Sequence, residues 1–306
     1  MHTRRDFLTR AALSAAAVTL PAFRSLAATE ADAAAGGVTS YAVFTKHFLG
    51  LNYEQLADTL AEIGITAIEA PIRSKGHVEP EHVADELPKL VEALKKRNVK
   101  IEVLTSGINA VDPKQFTETV LRTAKALGIP RYRMDWYAYD LKRPIWTQLD
   151  EIRPKLKDLV AFSKEVGILP CYQNHSGSKM VGAPIWDMAM LMRDYPATEL
   201  AWCFDIMHAT IEGSKSWPIE VNLVRDHIGV AYFKNFAWEG KTSKPAPLGE
   251  GVVGKEYVEM LKKSHYSGPV SLHIEYLEGN IKKDGYLAEA KAVTKRDMDI
   301  LKSWWS

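Results

Sequence analysis

The sequence predicts an α/β protein, a single (β/α)8 barrel over residues 38–306. Three observations predict it. Eight short apolar runs, each followed by a stretch with helical spacing, fill roughly 270 residues, the size such a barrel needs. The later runs end in polar side chains, as strands do when their C-terminal ends meet at one rim. No linker-like composition interrupts the alternation, and no Gly-rich phosphate fingerprint follows an early strand, which disfavours a doubly wound open sheet.

Strand one covers residues 41–44 and runs into Thr45-Lys46-His47. A helix follows over 53–63: Leu56, Leu60 and Ile63 share one face, Asn52 is its expected N-cap and Gly64 its stop. Strand two, 65–70, carries Glu69 near its end, with Arg73, Lys75 and His77 in the polar loop beyond. Residues 80–97 read as a charged helix with Leu87, Leu90, Val91 and Leu94 inward. Strand three is 99–104. Asp112-Pro113 opens a helix to 127, and Gly128 and Pro130 punctuate before strand four, 131–135, which holds Arg133 and Asp135. The aromatic loop Trp136-Tyr137-Ala138-Tyr139-Asp140 precedes a long helix over 145–166. Strand five starts near 168 and runs into Gln173-Asn174-His175. Then come a helix over 184–195, strand six over 199–205 and a short helix over 217–226. Strand seven is 229–234. A polar loop, a helix over 255–264, strand eight over 270–275 and a helix over 286–304 complete the barrel.

The first residues read as an address. Thr3-Arg4-Arg5-Asp6-Phe7-Leu8 is a twin-arginine pattern, an apolar run covers 11–20, and Ser25-Leu26-Ala27 offers small residues for cleavage. Residues 1–27 are therefore expected to be a signal peptide handled by the export machinery, residues 28–37 a tether, and the destination the periplasm. The chain is 46% apolar and 25% charged with a formal net charge of +1. That balance suits a large core and advertises no polyanion-binding face, so nucleic acid is excluded as main partner. Cys171 and Cys203 share parity with Gln173 and Asp205 and read as small thiols lining the barrel. Homo-oligomerisation stays open.

Side chains alternate along a strand, so Gln173, Asp205, Lys234 and Glu275 are expected to crowd one mouth. Two carboxylates there repel unless a cation intervenes. Oxygen donors suit Mn²⁺ or Mg²⁺, with Zn²⁺ also admissible, so Gln173, Asp205 and Glu275 are the expected metal ligands. Groups at these strand ends can also move a proton, with His175, Lys234 and Glu275 as the candidates. Lys46, His47, Glu69, Arg73, His77, Arg133, Asp135, Trp136, His208 and His273 complete the expected substrate-binding set. Trp136, Tyr137, Tyr139, Trp146, Trp186, Trp217 and Trp238 offer platforms for the apolar faces of a small-molecule carbohydrate, about half of them being expected to serve helix packing instead.

The motifs in this order resemble the xylose-isomerase-like TIM-barrel superfamily of sugar isomerases and epimerases. The resemblance rests on residues 64–69, on Gln173-Asn174-His175, on Asp205-x-x-His208, on Lys234-Asn235, on Pro247-Leu248-Gly249-Glu250-Gly251 and on Glu275. It implies a divalent metal held by strands five to eight. Gln173 stands where that family usually has glutamate, Tyr232 where it has histidine, and Asn235 where it has aspartate. The implied activity is metal-dependent isomerisation or epimerisation of a sugar. Two alternatives are a lyase or hydratase cleaving 3-keto-glycosides by β-elimination, with His175 as base, and a non-catalytic sugar-binding relative.

Overall fold

The computed structural model describes residues 37–306. The expected signal peptide and nearly all of the tether lie outside the described residues. Eight parallel strands close a barrel: β1 (Val38–Phe44), β2 (Ala67–Pro71), β3 (Lys100–Thr105), β4 (Arg131–Arg133), β5 (Leu169–Gln173), β6 (Ala201–Asp205), β7 (Ile228–Phe233) and β10 (Gly268–Leu272), the last pairing with both β7 and β1. Helices α1 (Tyr53–Glu62), α2 (Val83–Lys95), α3 (Thr117–Ala126), α4 (Ile145–Val166), α5 (Trp186–Met192), α6 (Ile206–Gly213), α7 (Trp217–Val224), α8 (Glu256–Lys263) and α9 (Tyr286–Trp305) form the outer layer. Between β7 and α8 lies an antiparallel hairpin, β8 (Asn235–Glu239) with β9 (Thr242–Ala246). Among the described residues, no helix is long and apolar enough to cross a membrane.

Local chemistry accounts for the element ends. Asn52 and Gln55 make a reciprocal capping box at the start of α1, at 2.9 and 3.0 Å. Gly167 closes α4 at φ 79°, a left-handed conformation glycine adopts without strain. The core has two parts. One packs the helices against the outside of the strands. The other fills the barrel with Val103, Cys171, Ala201, Cys203, Val230 and Tyr232, which places the strand parity as expected and both cysteines, unbonded, inside.

Two elements differ from expectation. Residues 206–213 form α6 directly after β6, because the Asp205 carboxylate accepts the His208 backbone N–H and caps a new helix. Residues 235–246 form the hairpin instead of a polar loop. Asn235 anchors it: its side chain accepts from the Phe236 and Val253 N–H groups and donates to the Val253 and Pro247 carbonyls. A Cβ at Gly251 would fall 2.3 Å from the Phe236 oxygen, so only glycine fits where that loop crosses the hairpin.

One outer-layer carboxyl gives a pH prediction. Glu220 of α7 is buried, its Oε2 has no hydrogen-bond partner, and burial together with Glu212 raises its pKa from 4.5 to about 7. A folded-state pKa above the unfolded one means stability that is complete below about 4.5 and lost as pH rises through about 7. Glu220→Gln should therefore raise stability at pH 8 by about 1–2 kcal/mol, less than full linkage because water partly reaches the group, and change little at pH 4. Urea midpoints at the two pH values measure this; equal gains at both would refute it.

Candidate active site

The C-terminal mouth of the barrel holds a cavity of about 180 Å³ lined by Lys46, Arg73, Arg133, Trp136, Gln173, His175, His208, Lys234, His273 and Glu275 among others. Phe44, Met207 and Pro245 complete the wall. Pro245 comes from the hairpin, so reading that segment as a loop concealed it. The signal that reveals the hairpin is Gly240, at φ 62°, in a two-residue connection between extended runs.

Asp205 is fully buried behind the cavity wall and does not itself line it. Its Oδ2 accepts from Gln173 Nε2 at 2.7 Å and pairs with Lys234 Nζ at 3.1 Å. Burial alone would raise its pKa, but Lys234, His208 and His273 more than offset that, and the carboxyl sits below the usual range. Glu275 pairs with Lys46 Nζ at 2.5 Å and lies 4.0 Å from Lys234. Burial opposes its ionisation as well, and the two lysines overcome it.

A second carboxylate network lies deeper. Glu69 accepts from Thr105 Oγ1 at 2.5 Å, Ser271 Oγ at 2.8 Å and His273 Nε2 at 3.0 Å, with Arg133 at 3.7 Å. Burial works against the charge, but His273 and Arg133 hold its pKa at about 2. Glu69 is thus an anchor beneath the floor that fixes Arg133 and His273, and it does not line the cavity as expected.

The turn after β5 is pinned at several points. Asn174 exchanges two hydrogen bonds with the Asp205 backbone, at 2.8 and 2.9 Å. Gly177 N–H donates to Glu212 at 2.9 Å. His175 Nδ1 lies 2.9 Å from the Ser176 carbonyl. A carbonyl only accepts, so Nδ1 carries the proton and Nε2 keeps its lone pair. Burial, then Lys234, lowers the His175 pKa below 6.5, leaving the ring neutral at pH 7. Its ring lies 3.9 Å from His208 and 4.7 Å from Trp136, whose other neighbour is the Arg133 guanidinium at 5.5 Å.

Besides Glu69 and Asp205, three more expected site residues lie outside the cavity wall. His47 turns outward, bonding Thr294 Oγ1 of α9 at 2.9 Å, with its ring tilted against Phe48 at 4.1 Å. His77 bonds Thr45 Oγ1 at 3.0 Å outside the cavity wall. Asp135 follows the end of β4 at Arg133, where strand alternation no longer aims it inward. Of the seven rim aromatics only Trp136 lines the cavity. Tyr137 and Tyr139 are buried, and Trp146, Trp186 and Trp238 are exposed away from it.

The expected ligand set of Gln173, Asp205 and Glu275 does not fit a divalent metal. Arg133 donates to Gln173 Oε1 at 2.8 Å, so the amide presents its NH₂ to Asp205. Lys234 lies where a cation would bridge Asp205 and Glu275. Tyr232 is buried inside the barrel and its phenol, with a pKa raised well above 10 by burial, stays protonated. Among the described residues no three His, Cys, Asp or Glu side chains gather in a metal-holding group.

Comparison with known proteins agrees with this architecture. The sequence profile of the family described as "Xylose isomerase-like TIM barrel" matches residues 57–304. None of the curated protein sequences matches. Several solved structures do. The probable 3-DHS dehydratase of Bacillus anthracis is 14% identical, with 86% of this chain and 98% of that one covered and a TM-score of 0.64. D-psicose 3-epimerase from Clostridium cellulolyticum H10 is 12% identical, with 86% and 99% covered and a TM-score of 0.63. The 3-keto-D-glucoside 4-epimerase from E. coli is 13% identical, with 85% and 99% covered and a TM-score of 0.61. At these identities the likeness shows the fold.

Proposed function

The chain belongs to the xylose isomerase-like TIM-barrel family, and on that premise we propose a carbohydrate enzyme, isomerase- or epimerase-like, that removes the proton beside a sugar carbonyl. One observation carries the reading: a neutral imidazole, His175, stands in a wall otherwise rich in fixed cations, namely Lys46, Arg73, Arg133 and Lys234. A base beside oriented cations is what enolate formation needs. The proton passes from the α-carbon to His175 Nε2. The electron pair moves onto the carbonyl oxygen, where Lys234 and Arg133 supply N–H donors. Trp136 offers its face to the ring carbons.

Delivery of the proton to the adjacent carbon gives aldose–ketose isomerisation. Delivery to the opposite face of the same carbon gives epimerisation and needs a proton donor there, a role open to the Lys46 ammonium in the cavity wall and closed to the ionised Glu275. Departure of the β-alkoxy group as the enolate collapses, with the His175 imidazolium returning its proton to the departing oxygen, gives elimination. The amide at Gln173 favours this second reading, lyase or hydratase action on a 3-keto-glycoside, because it removes one carboxylate from a two-base pair and elimination needs only His175. Among the structural neighbours are a 3-keto-D-glucoside epimerase and a dehydratase, which supports both readings. Mn²⁺ or Mg²⁺ dependence finds no fitting donor set, so no step runs through a metal. Export to the periplasm remains part of the proposal, since unphosphorylated glycosides reach an enzyme there.

The test is incubation with aldoses, ketoses and 3-keto-glycosides, followed by NMR. Rearranged sugar supports isomerisation or epimerisation, and released aglycone supports elimination. Saturable sugar binding without turnover would assign a binding protein instead. Absence of both binding and turnover would overturn the carbohydrate reading.

A further inference from the structure

The misfit between the expected metal ligands and the observed site has a structural cause. Gln173 cannot turn its oxygen toward Asp205. Arg133 Nη1 holds that oxygen at 2.8 Å, and a guanidinium has donors only, so flipping the amide would set donor against donor. The group facing Asp205 Oδ2 at 2.7 Å is therefore an NH₂, which cannot bind a cation. Arg133 is itself fixed, by Glu69 at 3.7 Å and by the rings of Phe44 at 5.3 Å and Trp136 at 5.5 Å.

Lys234 completes the replacement. It projects from just past the end of β7, is 4% exposed, and places Nζ 3.1 Å from Asp205 Oδ2 and 4.0 Å from Glu275 Oε1. Lys46 takes the other oxygen of Glu275 at 2.5 Å. The two carboxylates thus already face two ammonium groups. A divalent ion would have to expel Lys234 or leave uncompensated positive charge in a largely buried site, which the low dielectric strongly disfavours.

We propose that the Lys234 ammonium stands in the place of the divalent cation, so that this site holds its carboxylates and works without a metal. Lys234 has three N–H donors, and Asp205 and Glu275 engage two directions. The third is available to an oxyanion in the cavity, where a fixed cation is most effective. That catalytic role rests on the proposed function; the absence of a cation site does not.

The full chain is titrated with Mn²⁺ by calorimetry and electron paramagnetic resonance, with thermal melting in parallel. The wild type is expected to show no saturable micromolar site and no rise in melting temperature. Lys234→Met combined with Gln173→Glu removes the ammonium and supplies an acceptor, and is expected to tighten Mn²⁺ binding by about 100-fold with a matching rise in melting temperature. If the double variant does not melt cooperatively, Lys234→Met alone takes its place, with a smaller gain in affinity. Stoichiometric micromolar Mn²⁺ on the wild type overturns the proposal. So does a folded variant that binds Mn²⁺ no better than the wild type. A protein that turns over no sugar yet refuses Mn²⁺ would end the proposed function and leave this inference standing.

Discussion

Asp205→Ala should destabilise the barrel by about 3–5 kcal/mol, because it strands the buried ammonium of Lys234. Asp205 is the closest counter-ion of Lys234, at 3.1 Å, and Glu275 at 4.0 Å is already held by Lys46. The same substitution removes the acceptor for the Gln173 amide and the cap of α6. Removing Lys234 as well should recover much of the loss, since Asp205→Ala with Lys234→Met leaves no unpaired charge. Urea unfolding of the two single variants and the double variant measures the coupling. Strict additivity, or a loss under about 1 kcal/mol for Asp205→Ala, would show that the pair is not buried as described.

His175→Gln should lower kcat/KM by about 10²–10⁴, the usual worth of a positioned base. Glutamine retains an amide that can donate to the Ser176 carbonyl, so the turn should stay folded while the lone pair of Nε2 is lost. The expected signature is a fall in kcat with KM little changed, because proton removal belongs to the transition state more than to binding. Circular dichroism and melting temperature should match wild type. A variant with full kcat would move the base elsewhere, with Glu275 next in the cavity wall.

Much of this architecture is written in the sequence, and the reasons are physical. The α4 boundaries follow from apolar periodicity ended by Gly167, and Asn52 announces α1 by its capping chemistry. Strand parity places Gln173 at the cavity and Cys171 and Cys203 in the barrel, and the same alternation carries on past the ends of β7 and β10 to bring Lys234, His273 and Glu275 to the cavity. It fails past β1 and β4, where the chain turns away. Asp135 lies beyond β4, and His47 sits in the turn after β1, where the chain bends outward toward α9. The start of α6 is hidden because Ile206 and Met207 continue the apolar run of β6, and only the Asp205 cap breaks it. The donor set was the hardest part to foresee. Two carboxylates and an amide at one mouth suggest a cation, but only the structure shows that Arg133 orients the amide and Lys234 supplies the charge.

The most direct measurement of the chemistry is turnover of a carbonyl sugar deuterated at the α-carbon. Proton abstraction by His175 predicts a primary isotope effect on kcat/KM and removal of the label from that carbon, to solvent or to the adjacent carbon. Turnover at full rate with the α-label retained would contradict it.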